Sequence, residues 1–261
     1  MGSYPEPYPG NGIWKSFTKT WHNTSYPAIS PSRPELSAAG KIVFVTGGGT
    51  GIGLATAAAF AAAGAKAVAI FGRRVDKLKS AVEEILKASP SGTTKVVFES
   101  VDLSKREAVD VAFSEALKQV GESQIDIFVS NAGILPKPGA LANYDEKTFR
   151  NGLELNMIGG FNAIQAMWPL LAPKAKVFNI TSGIAHISAI PGVWAYAATK
   201  LANTKMFDYL QAENPDLHVV NIQPGVVETA MNIEHGMPSQ DDSKCEPLIV
   251  FFHILSFTLY P

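Results

Sequence analysis

The stretch KIVFVTGGGTGIGLATAAAFAAAG, residues 41–64, decides the fold. It opens on KIVFVT (41–46), an apolar run short enough for a strand and continuous enough for one buried on both faces. TGGGTGIG, Thr46 to Gly53, follows at once, and an alanine-rich helical stretch comes after it. Gly47, Gly51 and Gly53 let the backbone turn tightly and let a pyrophosphate approach the main-chain amides at a helix N-terminus. The spacing is G-x-x-x-G-x-G rather than G-x-G-x-x-G. A turn whose glycines serve the backbone alone is the alternative reading; the strand before and the helix after argue against it.

The same alternation continues downstream. AVAIF (67–71), KVVFES (95–100), IDIFVS (125–130), KVFNIT (176–181) and LHVVNI (217–222) read as strands, with helix-like stretches near 51–64, 75–88, 104–120, 145–171 and 195–213. Apolar strands separated by helices imply a doubly wound α/β domain with a parallel, Rossmann-type sheet, and residues 41–231 form it as a single domain. Residues 1–40 differ: Pro5, Pro7, Pro9, Pro27, Pro31 and Pro34, with Trp14 and Trp21 between them, predict an irregular arm. Composition leaves open whether that arm lies against the domain or is a mobile tail.

Composition narrows the function. The chain of 261 residues balances 22 Lys+Arg against 23 Asp+Glu, and no basic run marks a nucleic-acid surface. The single Cys245 has no His/Cys cluster beside it, which argues against a structural zinc site, and no metal is expected. Met1 to Gly40 contain no charged segment leading into an apolar run, so no secretory signal is read and a cytoplasmic location is expected.

The end of the second strand selects between dinucleotides, because a carboxylate there would bind a ribose 2′-hydroxyl and repel a 2′-phosphate. Here it reads Phe71-Gly72-Arg73-Arg74, with no acid before Asp76. Two guanidinium forks suit a phosphate, which favours NADP over NAD; two solvated surface arginines are the alternative.

From about Lys41 to Met231 the chain resembles the short-chain dehydrogenase/reductase family. The resemblance rests on TGGGTGIG (46–53), VDL (101–103), SNAG (130–133), LELN (153–156), NITS (179–182), YAATK (196–200) and PGVVET (224–229), in that order. The arm, with KTWHN (19–23) and RPELSAAGK (33–41), also resembles extensions of fungal members. The resemblance implies that Ser182 bonds the substrate oxygen, that Asn156 holds a proton-relay water, and that Tyr196 and Lys200 carry the chemistry. It also implies cofactor contacts from Ile52, Asp102, Leu103, Asn131, Ala132, Gly133, Pro224, Gly225, Val227 and Thr229. Asp102 as a helix N-cap, Ser182 as a turn cap and Asn156 as a satisfied buried amide stay open beside these roles.

Tyr196 and Lys200, four apart on a predicted helix, share one face. An adjacent ammonium favours phenolate, and lowering the tyrosine pKa by two units takes about 2.7 kcal/mol. His186 is a weaker candidate, since the tyrosine already supplies the acid/base. Ile184, Ile187, Ile190, Val193 and Trp194 form one apolar wall and ILPKPGALANY (134–144) supplies another, so a ketone or secondary alcohol on a mostly apolar small molecule is expected. A homodimer or homotetramer is expected, with no membrane span. The resemblance fades after Met231: residues 232–261, ending LIVFFHILSFTLYP, read as the atypical tail of a truncated product, a substitute edge strand, or an aggregation-prone segment. The resulting reading is an NADP-dependent oxidoreductase, against the alternative of a non-catalytic dinucleotide-binding protein or an inactive truncated product.

Overall fold

The computed structural model describes residues 26–89, 92–225, 227 and 229–234. The tail expectations for residues 235–261, and the first 25 residues of the arm, lie outside the described residues. Six strands form one parallel sheet: β1 (Ile42–Thr46), β2 (Ala67–Gly72), β3 (Lys95–Ser100), β4 (Ile125–Ser130), β5 (Leu171–Ile180) and β6 (His218–Ile222). Their order is β3-β2-β1-β4-β5-β6. The order reverses between β1 and β4, which opens a crevice at the carboxyl ends of those two strands.

The unbroken apolar strands are explained by helices on both faces. Along β1, Val43 and Val45 pack with Ala57 and Phe60 of α1 (Gly51–Ala62) and Leu78 and Ile85 of α2 (Val75–Ala88). Ile42 and Phe44 point the other way, toward Phe113 of α3 (Arg106–Val120), Met167 of α5 (Gly159–Met167) and Phe207 of α6 (Trp194–Glu213). Phe113 lies 4.6 Å from Phe71 and 5.8 Å from Phe128, ring centre to ring centre, and anchors this second core.

Three sequence expectations shift. Residues 26–40 of the arm lie against the domain: Ile29, Leu36 and Ala38 are buried, and Ala39 bridges Ala65. The stretch 145–171 is not one helix but α4 (Glu146–Gly152), a π-helical turn (Leu153–Ile158), α5, and a 3₁₀ turn (Trp168–Leu170) where Pro169 ends the helical ladder. Strand β5 accordingly begins at Leu171, before the expected Lys176. After β6, the short α7 (Ala230–Glu234) ends the described chain.

Candidate active site

The glycine turn is shaped by the strand beside it. Thr46 Oγ1, at the end of β1, donates to Val129 O and accepts from the amides of Asn131 (3.0 Å) and Ala132 (3.1 Å). Asn131 Nδ2 in turn donates to the carbonyls of Thr46 (3.0 Å) and Gly47 (3.3 Å). This clasp leaves no room at two glycines. A Cβ on Gly47, whose φ is +67°, would sit 2.8 Å from Asn131 Nδ2, and one on Gly53 would strike the Gly47 carbonyl. Gly47→Ala is therefore expected to destabilise the fold by about 1–3 kcal/mol, read as a lowered Tm.

Helix α1 starts at the turn with Thr50 before it and no side-chain cap on its first amides. A helix start whose first amides lack a side-chain cap suits an anion. Arg73 and Arg74 are exposed at the end of β2, and Arg74 Nη2 reaches Thr50 Oγ1 at 3.4 Å. Neither guanidinium forms an ion pair among the described residues. Ile52 is partly buried, and a Cβ on Gly51 would come 3.2 Å from Thr229 Cγ2, so Thr229 lies against this turn. Within that segment Gly225 has φ +77°, and Val227 is buried in the core. The residues present fit a dinucleotide phosphate.

Asp102 does not cap α3, which starts at Arg106. Its carboxylate accepts the Ser104 amide at 3.0 Å in a turn before the helix. Leu103 lies against α5, its carbonyl taking Asn162 Nδ2 at 2.8 Å. Both follow Val101, whose amide bonds Gly72 O, so they sit beside the arginine pair.

The proton-handling candidates lie at the other side of the crevice. Lys200 Nζ is buried, donates to Ile180 O at 2.7 Å, and lies 5.8 Å from the centre of the Tyr196 ring. The Tyr196 hydroxyl bonds no described residue. Burial pushes the tyrosine up to about 12 and the lysine down to about 8. Desolvation thus disfavours the charged form of both groups.

Asn156, in the π-helical turn, is buried and fully engaged. Its Oδ1 accepts the Ile134 amide at 2.7 Å; its Nδ2 donates to Ile134 O at 2.8 Å and Thr199 Oγ1 at 3.1 Å. The side chain therefore fixes the backbone that follows Gly133. Ser182 lies two residues beyond the Ile180 carbonyl that Lys200 grips, and its Oγ accepts the Ile184 amide at 3.4 Å. The capping reading holds, with the hydroxyl proton still available. His186 is exposed.

The two expected pocket walls are tied together. The Gly139 amide donates to Gly192 O at 2.8 Å, and the Trp194 ring packs between Tyr144 (5.1 Å) and Phe149 (4.9 Å). Residues 134–137 also border a cavity of about 320 Å³ whose far side is Lys147, Thr148 and Asn151. Sequence reasoning missed Thr46, Thr199 and Asn203, the polar residues that lock these segments; the one available signal was a threonine directly preceding the glycine turn. Among the described residues no three His, Cys, Asp or Glu side chains cluster as a metal site, and no helix is long and apolar enough to cross a membrane.

A parallel sheet in this order, an uncapped helix start behind a glycine turn, and a buried lysine next to an unpartnered tyrosine define a Rossmann-type nucleotide-binding domain of the oxidoreductase kind. The family model for short chain dehydrogenase matches residues 41–238, and the chain belongs to that family of dehydrogenase/reductase enzymes, whose fold binds a nicotinamide dinucleotide. The short chain dehydrogenase tazN of Aspergillus terreus is 32% identical over 83% of this chain and 47% of its own length, so this chain spans about half of that relative. The short chain dehydrogenase citE of Monascus ruber is 32% identical over 86% of this chain and 76% of its own. Among solved structures, an alcohol dehydrogenase from Thermococcus sibiricus complexed with 5-hydroxy-NADP superposes with a TM-score of 0.74 at 27% identity, covering 85% of this chain and 91% of that one.

Proposed function

We propose that this chain is an NADP-dependent oxidoreductase acting on a ketone or secondary alcohol of a mostly apolar small molecule, with Tyr196 as its acid/base. The observation that carries the reading is the Tyr196 hydroxyl, aligned on one helix face with Lys200 and bonded to no described residue. When bound, the nicotinamide supplies or accepts hydride at C4. The amides of the Gly47–Gly53 turn hold the pyrophosphate, and Asp102, Leu103 and the Asn131-Ala132-Gly133 turn border the adenine and its ribose. Pro224, Gly225, Val227 and Thr229 border the nicotinamide end. Lys200 bonds the adjacent ribose and keeps positive charge near the phenol. Ser182 orients the substrate oxygen with its free hydroxyl proton, and in reduction Tyr196 protonates that oxygen.

A tyrosine held near 12 is protonated at neutral pH, so the resident form is the acid that reduction requires. Oxidation needs the phenolate and should therefore gain rate as pH rises, while reduction stays level through neutral pH. An assay of both directions between pH 6 and 9.5 checks this asymmetry.

The phosphate assignment rests on Arg73 and Arg74, neither of which is held in an ion pair among the described residues. NADPH is expected to bind at least tenfold tighter than NADH, and Arg73→Asp should reverse that order, since each charge-assisted phosphate contact contributes about 1.5–3 kcal/mol. Fluorescence titration with both cofactors tests it; equal affinities in the unaltered protein would remove the NADP assignment. NADPH binding without turnover of any ketone in a panel of aliphatic, alicyclic and aromatic ketones would instead leave a non-catalytic binding protein.

A further inference from the structure

The π-helical turn at Leu153–Ile158 breaks the regular helical ladder, and a carbonyl released by such a turn needs a partner when buried. One is supplied from another helix: Asn203 Nδ2, on α6, donates to the main-chain carbonyl of Asn156 at 2.7 Å. Asn203 is 5% exposed, and its own Oδ1 is buried with no hydrogen-bond partner among the described residues. A side chain oriented only for its own satisfaction would not leave that oxygen unpaired, so the orientation serves the Asn156 carbonyl. The opposing helix makes way for it, since a Cβ on Gly160 would lie 2.5 Å from Asn203 Nδ2. Thr199, one turn earlier on the same face of α6, takes the Asn156 side chain. Lys200 lies between these two grips.

We propose that Asn203 is a positioning residue: by holding the Asn156 carbonyl it fixes the π-helical turn, and through Asn156 the Ile134 backbone, against the helix that carries Tyr196 and Lys200. Nothing in the amide touches the reacting atoms. Its effect is exerted through Asn156, whose Oδ1 and Nδ2 clamp the segment after Gly133 at the crevice floor. The kinetic part of this inference rests on the oxidoreductase reading above; the structural part does not.

A double-mutant cycle between Asn203→Ala and Gly160→Ala tests it, with hydrogen exchange of the Ile134-containing peptide as a readout that needs no substrate. Asn203→Ala should lower kcat for a ketone turned over by the unaltered protein at least tenfold, with KM and the NADPH Kd within twofold. It should also speed exchange at Ile134. Gly160→Ala alone should reproduce both effects by displacing the amide, and should add nothing when Asn203 is already alanine, because the new methyl then occupies vacated space. Equal effects of Gly160→Ala in both backgrounds, or unchanged exchange at Ile134 in Asn203→Ala, would overturn the proposal. A KM or Kd that rises with the fall in kcat would also overturn it, since general loosening moves all three. If the unaltered protein turns over no ketone while exchange follows the cycle, the oxidoreductase reading fails and the positioning of Asn156 stands.

Discussion

Tyr196→Phe should lower turnover at least a hundredfold while leaving NADPH affinity within twofold and Tm nearly unchanged. The rate effect follows from removing the proton that the substrate oxygen takes up, for which positioned acid/base groups are credited with about 10²–10⁴-fold. The small stability effect follows from the environment of the hydroxyl. It bonds no described residue, so its deletion leaves no buried donor or acceptor of the protein unpaired, and the ring that packs is retained. Burial that holds the phenol near 12 even makes the apolar ring a comfortable substitute at this position. Steady-state NADPH oxidation, cofactor fluorescence and a thermal melt on the same preparation read all three quantities. Activity within tenfold of the unaltered protein would move the acid/base role to another residue.

The strands themselves and the turn that follows the first were legible because both rest on local pattern. A continuous apolar run predicts a strand buried on both faces, and the alternating use of Ile42 and Phe44 on one side and Val43 and Val45 on the other shows why β1 needs no polar positions. Tyr196 and Lys200 were legible for the same reason, since four-residue spacing on a helix is a local rule. What stayed hidden depends on contacts between distant segments. The π-helical turn at 153–158 has no sequence signature of its own; it is held by Asn203 from 47 residues away. Thr46 looks like the last residue of an apolar strand, yet it bonds the amides of Asn131 and Ala132 across the crevice. The desolvation that disfavours both charged forms at Tyr196 and Lys200 also stayed hidden, because spacing reports proximity and not burial.

Lys200→Met should abolish most turnover and yet raise stability at neutral pH. The lysine is fully buried, and its folded-state pKa is lowered from an ordinary 10.5 to about 8 by desolvation. Folding therefore works against its proton: below about pH 8 the full cost is present, and the difference of about 2.5 in pKa corresponds to about 3 kcal/mol at about 1.4 kcal/mol per unit. As pH rises from about 8 to 10.5 the folded state has already released the proton while the unfolded chain still binds it, so the cost is relieved across that window. A methionine keeps most of the volume and carries no charge, but it abandons the Ile180 carbonyl, which offsets about 1 kcal/mol. The net gain at pH 7 is about 2 kcal/mol, or a Tm higher by about 4–8 °C for a domain of this size. The gain should shrink as pH rises and turn into a small loss by pH 10.5, where the lost bond outweighs the remaining desolvation cost, and Tm measured on both proteins from pH 6 to 10.5 gives the comparison. A variant less stable than the unaltered protein across that whole range would mean that the bond to Ile180 outweighs desolvation. A lysine kept at such cost, one turn from the tyrosine it faces, is what the proposed role of the pair predicts: a residue that serves the reaction at the expense of the fold.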